Sequence, residues 1–242
     1  MITLKRRIRI TPQRIIGAIL FVSLALSVLY AFLHFLHAPQ AAPEGMPRTK
    51  VKSDYLLMLT QCILGLVVML LPSVINHRWS VPIPRNIYIM YYVFLYCAIF
   101  LGEVFDFYYV IPHWDIILHA FSGAMLSALG FIMVDLLNMN QKVAVELSPF
   151  FESVFAFCFA LSLGAIWEIY EFAGDMILGL NMQKAYLANG TALVGKAALM
   201  DTMEDMIVDA FAAAVVAFAG YKANKQKAAK ERKEHDESQK AC

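Results

Sequence analysis

The sequence predicts an all-α fold, a polytopic integral membrane bundle of about six transmembrane helices. Composition is the first reason: 60% of the 242 residues are hydrophobic and 16% are charged, against about 45–50% and about 25% in an average soluble domain. The second is a set of six apolar segments that approach the roughly 20 residues needed to cross a bilayer. The third is the placing of the basic residues, most of which gather toward the two ends of the chain. With a net charge of +1 and no basic stripe, the chain lacks the electrostatic footprint of a nucleic-acid binder. The partner its composition demands is the lipid bilayer.

Taken in order, residues 1–14 form a basic N-terminus with Lys5, Arg6, Arg7, Arg9 and Arg14. The apolar run Ile15–Leu36 exceeds the roughly 7–15 residues of a signal-peptide core, so it reads as a retained first span, ended by Ala38-Pro39 and Ala42-Pro43. The second span is Tyr55–Ile75, with Pro72 near its end and Pro82 and Pro84 beyond it. The third, Ile87–Leu101, extends as far as Phe105 if the helix holds. Pro112 precedes the fourth, Ile116–Leu137, and Pro149 opens the fifth, Phe150–Phe172; proline is at home where a helix starts. The sixth is Met203–Tyr221. Residues 15–221 thus make one six-helix domain, and 222–242 a charged, solvated tail, helical at its start.

The connection from Ala173 to Asp201 is long and carries the apolar patches Met176-Ile177-Leu178 and Leu193-Val194, as expected of a segment lying in the membrane interface or dipping into it. Trp79, Tyr108, Tyr109, Trp114 and Trp167 fall near span ends, where an aromatic belt belongs. Cys62, Cys97 and Cys158 lie in apolar runs and Cys242 is the last residue; no spacing suggests a disulfide framework or a zinc knuckle. Lys and Arg weigh on the side of the N-terminus, Arg78, Arg85, Lys142 and the tail, against Arg48, Lys50, Lys52, Lys184 and Lys196 on the other. The positive-inside rule then puts both termini in the cytoplasm.

This topology brings acids and histidines to one end of the bundle. Glu103 and Asp106 close the third span there; His113, Asp115 and His119 open the fourth. Glu168, Glu171 and Asp175 close the fifth at i, i+3 and i+7, on one helix stripe. Asp201, Glu204, Asp205 and Asp209 open the sixth, and Asp201, Asp205 and Asp209 recur every four residues. The other end has few acids, mainly Asp135 and Glu146. No Lys or Arg lies within the last three spans, and Lys184 and Lys196 in the long connection are the only basic candidates nearby. Converging buried carboxylates must bind protons, bind a metal or open to water.

The sequence therefore nominates His119, Glu168, Glu171, Asp205 and Asp209 as ligands of a divalent metal. Oxygen donors suit Mg²⁺, Mn²⁺ or Ca²⁺, and His119 adds Zn²⁺ or iron. Asp115, His119, Glu168, Glu171 and Asp205 are the candidate catalytic set, with Asp115 orienting His119 from one turn away. Plainer readings stand beside these. Asp201 with Glu204 has the pattern of a helix N-cap and capping-box partner; Asp106, His113 and Asp115 suit wet loop positions; Asp175 suits a solvated helix end; His34 and His37 suit the interface.

Three functions fit the pattern. One is a metal-dependent enzyme at the outer leaflet acting on a lipid-linked or envelope substrate. The second is a structural or accessory protein in which the acids form a hydrogen-bonded plug, with Gly123, Ala124, Ala128 and Gly130 allowing close helix contact. The third is a cation or proton transporter, which suits the other halves of the spans poorly, since they run Ala128-Leu129-Gly130-Phe131 and Ala212-Ala213-Ala214-Val215. There is no nucleophile elbow, no phosphate-binding glycine loop and no His-Glu-x-x-His.

The ordered set Trp114-Asp115-x-x-x-His119, Trp167-Glu168-Ile169-Tyr170-Glu171-Phe172-x-x-Asp175 and Asp201-Thr202-x-x-Asp205-x-x-x-Asp209 resembles the YjdF-like family of bacterial inner-membrane proteins. The resemblance covers roughly Ile87 to Gly220. More distantly the set is similar to VanZ-like proteins, which carry Lys where Ile116 stands here. The resemblance implies a multipass protein of the bacterial plasma membrane and marks these residues; it supplies no reaction.

Overall fold

The computed structural model describes residues 11–41, 49–79, 83–138, 147–187 and 191–240. Lys5, Arg6, Arg7, Arg9, Ala42, Pro43, Arg48, Pro82, Lys142, Glu146 and Cys242 lie outside the described residues. The helices are α1 (Pro12–His37), α2 (Lys52–Val68), α3 (Leu71–Trp79), α4 (Arg85–Leu95, continued as a π-helix over Tyr96–Val104), α5 (Phe107–Val110), α6 (Trp114–Asn138), α7 (Pro149–Leu178) and α8 (Lys196–Lys240). Six stretches are long and apolar enough to cross a membrane: Pro12–His37, Lys52–Arg78, Arg85–Val104, Trp114–Leu136, Pro149–Leu178 and Lys196–Gln239. The protein is an all-α, multipass membrane bundle. Its chain divides into two compact units, the first within Met1–Trp114 with Ala188–Thr191 and the second within Asp115–Leu187 with Ala192–Cys242.

Hydrocarbon holds the first unit together. Leu20, Leu24, Ser27 and Ala31 are the buried stripe of α1, while Ile19, Phe21, Val22, Leu26 and Leu29 are exposed, as lipid-facing positions are. That stripe packs with Met58, Cys62, Met69, Leu95 and Ile99 in one apolar core. Pro72 has no N–H for the carbonyl four residues back, so Val68 loses its helical partner. Tyr91 repairs this by donating its hydroxyl to the Val68 carbonyl at 2.7 Å, and Tyr88 donates to the Pro72 carbonyl at 2.9 Å. A broken helix at membrane depth is tolerable only with such replacements. The third span reaches Val104 because its last nine residues relax into a π-helix.

The second unit is built on small residues. In α7 the buried positions are Ser153, Ala156, Ala160, Gly164 and Glu168. In α8 they are Asp205, Asp209, Ala213 and Ala217. In α6 they include His119, Gly123, Ser127, Gly130 and Val134. Each set follows the three- and four-residue spacing of one helix face. A Cβ at Gly130 would come within 2.7 Å of the Ala156 Cα, and one at Gly123 within 2.7 Å of the Asp209 carbonyl oxygen. Backbones this close are typical of membrane helices joined through small residues. Ser127 seals the α6–α8 contact by donating to the Ala213 carbonyl at 3.1 Å.

Three boundaries differ from the sequence expectation. The fifth helix runs six residues further, to Leu178, so Met176-Ile177-Leu178 is its last turn and not part of the connection. Gly179, at φ 64°, ends it, a left-handed position that glycine fills without strain. The sixth helix starts at Lys196 and continues through the charged tail to Lys240. Tail and span are one rod, because Lys222-Ala223-Asn224-Lys225-Gln226-Lys227-Ala228-Ala229 contains good helix formers and no breaker.

Candidate functional site

The buried stripes of α6, α7 and α8 turn ionisable at the same end of the second unit. His119 lies in the second turn of α6, Glu168 ten residues before the end of α7, and Asp205 and Asp209 in the third and fourth turns of α8. The helical periodicity that buries Ala213 and Ala217 thus buries the two aspartates as well. Asp205 is 2% exposed, Asp209 3%, Glu168 5% and His119 8%.

His119 is the hub. Its Nδ1 lies 3.2 Å from Asp209 Oδ2, and its Nε2 lies 3.7 Å from Asp205 Oδ2 and 3.8 Å from Asp115 Oδ1. The Ser122 hydroxyl sits 3.2 Å from Asp209 Oδ1 and 3.0 Å from the His119 carbonyl oxygen, and its one proton serves one of them. Asp209 has no room to move toward α7, because a Cβ at Gly164 would meet its Oδ2 at 2.5 Å. One ligand atom each from Asp115, His119 and Asp205 falls within 4.8 Å of the other two, a spacing one cation can span. Glu168 interacts electrostatically with His119 and Asp205, and Glu171 with Glu168, Asp201 and Asp205. Among the described residues, neither oxygen of Glu168 and not Oδ2 of Asp205 has a partner in good hydrogen-bond geometry, and the Thr202 hydroxyl is the donor nearest in effect to Glu168.

Of the two basic candidates in the long connection, Lys184 is the one that reaches these acids. Lys184 Nζ pairs with Asp115 Oδ2 and lies 3.5 Å from Asp201 Oδ1. The device that delivers it is Asp175. Its two carboxylate oxygens accept the backbone N–H groups of Met182 at 2.7 Å and Gln183 at 3.0 Å, which folds the chain back beside the end of α7. Lys184 follows in the left-handed region at φ 48°, costly for a residue with a Cβ and retained only where its surroundings demand it. Gln183 Nε2 ties the same turn to α8 through Thr202 Oγ1 at 2.8 Å. Asp175 is therefore a structural cap rather than a solvated end.

Other candidates separate in the same way. Asp201 is not an N-cap, since α8 begins five residues earlier at Lys196; it is half-buried beside Lys184, and Glu204 is exposed. Glu171 is half-buried. Glu103, Asp106 and His113 belong to the first unit, where Asp106 pairs with Lys50 at 2.9 Å and His113 is exposed.

Residues 48–226 match the family model described as "Predicted membrane protein (DUF2238)". The match takes in α6, α7, the turn that carries Lys184 and α8 as far as residue 226. No curated protein and no solved structure matches the chain. The chain belongs to the DUF2238 family of predicted membrane proteins, in keeping with the YjdF-like resemblance of its motifs.

Proposed function

We propose that the second unit binds one divalent cation and uses it as a membrane-embedded enzyme, acting on a lipid-linked or other envelope substrate at the outer leaflet of a bacterial plasma membrane, with both termini in the cytoplasm. The ligands in this reading are His119 Nε2, Asp115, Asp205 and Glu168, and Glu171 lies next to them as a spare carboxylate. Asp209 fixes the imidazole by taking its Nδ1 side, as partners of metal-bound histidines do, and Ser122 lies against the other oxygen of Asp209. Lys184 neutralises the rim at Asp115 and Asp201. A mixed set of carboxylates and one imidazole suits Mn²⁺ or Zn²⁺ best, and Mg²⁺ less well. Bound there, the cation would lower the pKa of a water or polarise a phosphoryl or carbonyl oxygen.

The observation that carries this reading is Glu168, 5% exposed, with neither oxygen in good hydrogen-bond geometry and only the Thr202 hydroxyl beside it as a donor. An unpaired carboxylate at such a place costs several kcal/mol. His119 and Lys184 cannot offset Asp115, Glu168, Glu171, Asp201, Asp205 and Asp209 together. A bound dication meets both needs. In the structural reading the acids are a register lock, and the tight seating of Asp209 between His119, Ser122 and Gly164 favours it. A conduit for ions has less support, since the stripe continues past Asp209 as Ala213 and Ala217.

The test is the metal content of protein purified in detergent without chelators. The enzyme reading expects close to one Mn²⁺ or Zn²⁺ per chain, lost in His119→Ala and Asp205→Asn. Metal-free wild-type protein would leave the register lock as the better account.

A further inference from the structure

The second unit carries another feature at the opposite end of α7 and α8 from the acids. Phe150, Ser153, Val154 and Phe157 of α7 and Ala214, Ala217, Phe218 and Tyr221 of α8 line an open apolar groove. Of its two lining hydroxyls, that of Tyr221 stands at the end of the groove, and that of Ser153 lies 2.8 Å from the Phe150 carbonyl and 3.0 Å from that of Pro149 and is thereby occupied. From Ala214 to Tyr221 the groove follows two turns of helix, about 10 Å at 1.5 Å per residue. That is about two-thirds of one leaflet's share of a hydrocarbon core about 30 Å thick. Two of the α8 residues that line it, the exposed Ala214 and the buried Ala217, are small and leave room beside the aromatic rings.

The mouth of the groove is marked by aromatic rings and positive charge. Phe150 and Tyr221 meet edge to face at 6.4 Å, the arrangement expected at the level of the headgroups. Lys222 Nζ lies 4.5 Å from the centre of the Phe218 ring, and Lys225 Nζ lies 5.6 Å from that of Tyr221. Glu152 of α7 accepts from Asn224 Nδ2 at 2.6 Å and keeps its single negative charge against the two lysines. Two ammoniums thus crown an acyl-sized slot, and the local charge is positive.

We infer that the α7–α8 groove is a site for one anionic phospholipid, whose acyl chain lies along Ala214, Ala217 and Phe218 and whose phosphate is held by Lys222 and Lys225. Charge selects the occupant. A zwitterionic headgroup brings its own ammonium toward these lysines, whereas phosphatidylglycerol brings only the phosphate. The site is independent of any cation at His119. It shares helices with that cluster and no residues.

The test is native mass spectrometry of full-length protein released from mixed micelles containing equal amounts of phosphatidylglycerol and phosphatidylcholine. Wild-type protein should retain one phosphatidylglycerol at least fivefold over phosphatidylcholine. Lys222→Gln/Lys225→Gln should abolish the preference, and Ala214→Trp, which fills the slot from its exposed wall, should lower retention of both lipids. Lys227→Gln/Lys230→Gln, two charges further along the same helix, should leave the preference intact. Circular dichroism of each variant separates lost binding from lost fold. Equal retention of both lipids by wild type would overturn the proposal. So would full retention in folded Ala214→Trp, or an equal loss in the Lys227/Lys230 variant, which would mean diffuse attraction to a basic tail.

Discussion

The two units of this protein are of similar size, and both are made of membrane-spanning helices, yet they are held together by different means. In the first, the core is Leu20, Leu24, Met58, Leu95 and Ile99, with Ser27 and Gln61 also buried; Ser27 bonds back to the Ser23 carbonyl, Tyr91 to the carbonyl that Pro72 frees at Val68, and Tyr88 to the carbonyl of Pro72 itself. In the second, the buried positions where α6, α7 and α8 meet are mostly alanine, glycine and serine, with Val134 among them, and at one end His119, Glu168, Asp205 and Asp209. Among the described residues, the one buried side-chain atom of the first unit without a hydrogen-bond partner is a neutral indole N–H, that of Trp114. The second buries carboxylate oxygens that its described residues leave unpartnered. In a bilayer, where lipid tails give helices no reason to associate through mere greasiness, close backbones and polar contacts hold spans together. Unsatisfied acids at that contact point to something beyond the chain itself.

The comparison can be broken most sharply at its glycines. A side chain at Gly123 would meet the backbone of Asp209, its oxygen at 2.7 Å and its Cα at 3.0 Å, whereas at Gly65 it would meet the ends of Ile99 and Leu24 at 2.5 and 2.9 Å. Side-chain ends can rotate away; a helix backbone cannot. Gly123→Val should cost about 3 kcal/mol or prevent folding, and Gly65→Ala less than about 1 kcal/mol, partly offset by better helix propensity. Thermal unfolding in detergent reads both, and similar losses at the two sites would undo the contrast.

Next in size is Leu24→Ala. It removes a fully buried side chain from the first core and should cost about 3 kcal/mol. The cost should be the same with Mn²⁺ or with a chelator, because the first unit owes nothing to the cation. Asp209→Ala should cost about 2 kcal/mol by stranding His119 Nδ1, while the Ser122 hydroxyl keeps the His119 carbonyl. It should also weaken Mn²⁺ binding at least tenfold, with Asp209→Asn recovering part of each; calorimetric titration checks it. The smallest effect is expected at Lys184, whose pair with Asp115 is 25% and 22% exposed. Lys184→Met should cost about 1 kcal/mol or less and should tighten Mn²⁺ binding by removing a neighbouring positive charge. Weaker binding in that variant would make Lys184 part of the site's support.

Much of this was legible in the residues. Length and hydropathy give the six spans, and the four-residue spacing of Asp201, Asp205 and Asp209 gives the acidic stripe. What stayed hidden depended on contacts the spacing does not encode. Lys184 reaches Asp115 only because Asp175 captures two amides from the following turn, a folding-back that periodicity cannot reveal. Asp201 has the chemistry of a cap, but the helix starts earlier because Lys196-Ala197-Ala198-Leu199 is itself a good helical turn. The π-helical end of the third span is equally silent in the sequence, since its residues would serve an α-helix as well. Glu103, Asp106 and His113 share a composition with the site and belong to the other unit.

The most direct test is the melting temperature of wild type and Glu168→Gln, each with chelator and with Mn²⁺. The account predicts that, without metal, Glu168→Gln melts several degrees higher than wild type, since an amide is cheaper to bury than an unpaired carboxylate. Mn²⁺ should then raise wild type and leave the variant nearly unchanged, because ligand binding stabilises only the protein that can bind it. If metal-free Glu168→Gln melts lower than wild type, and Mn²⁺ moves neither, the buried acid is satisfied within the protein and the cation has no place in it.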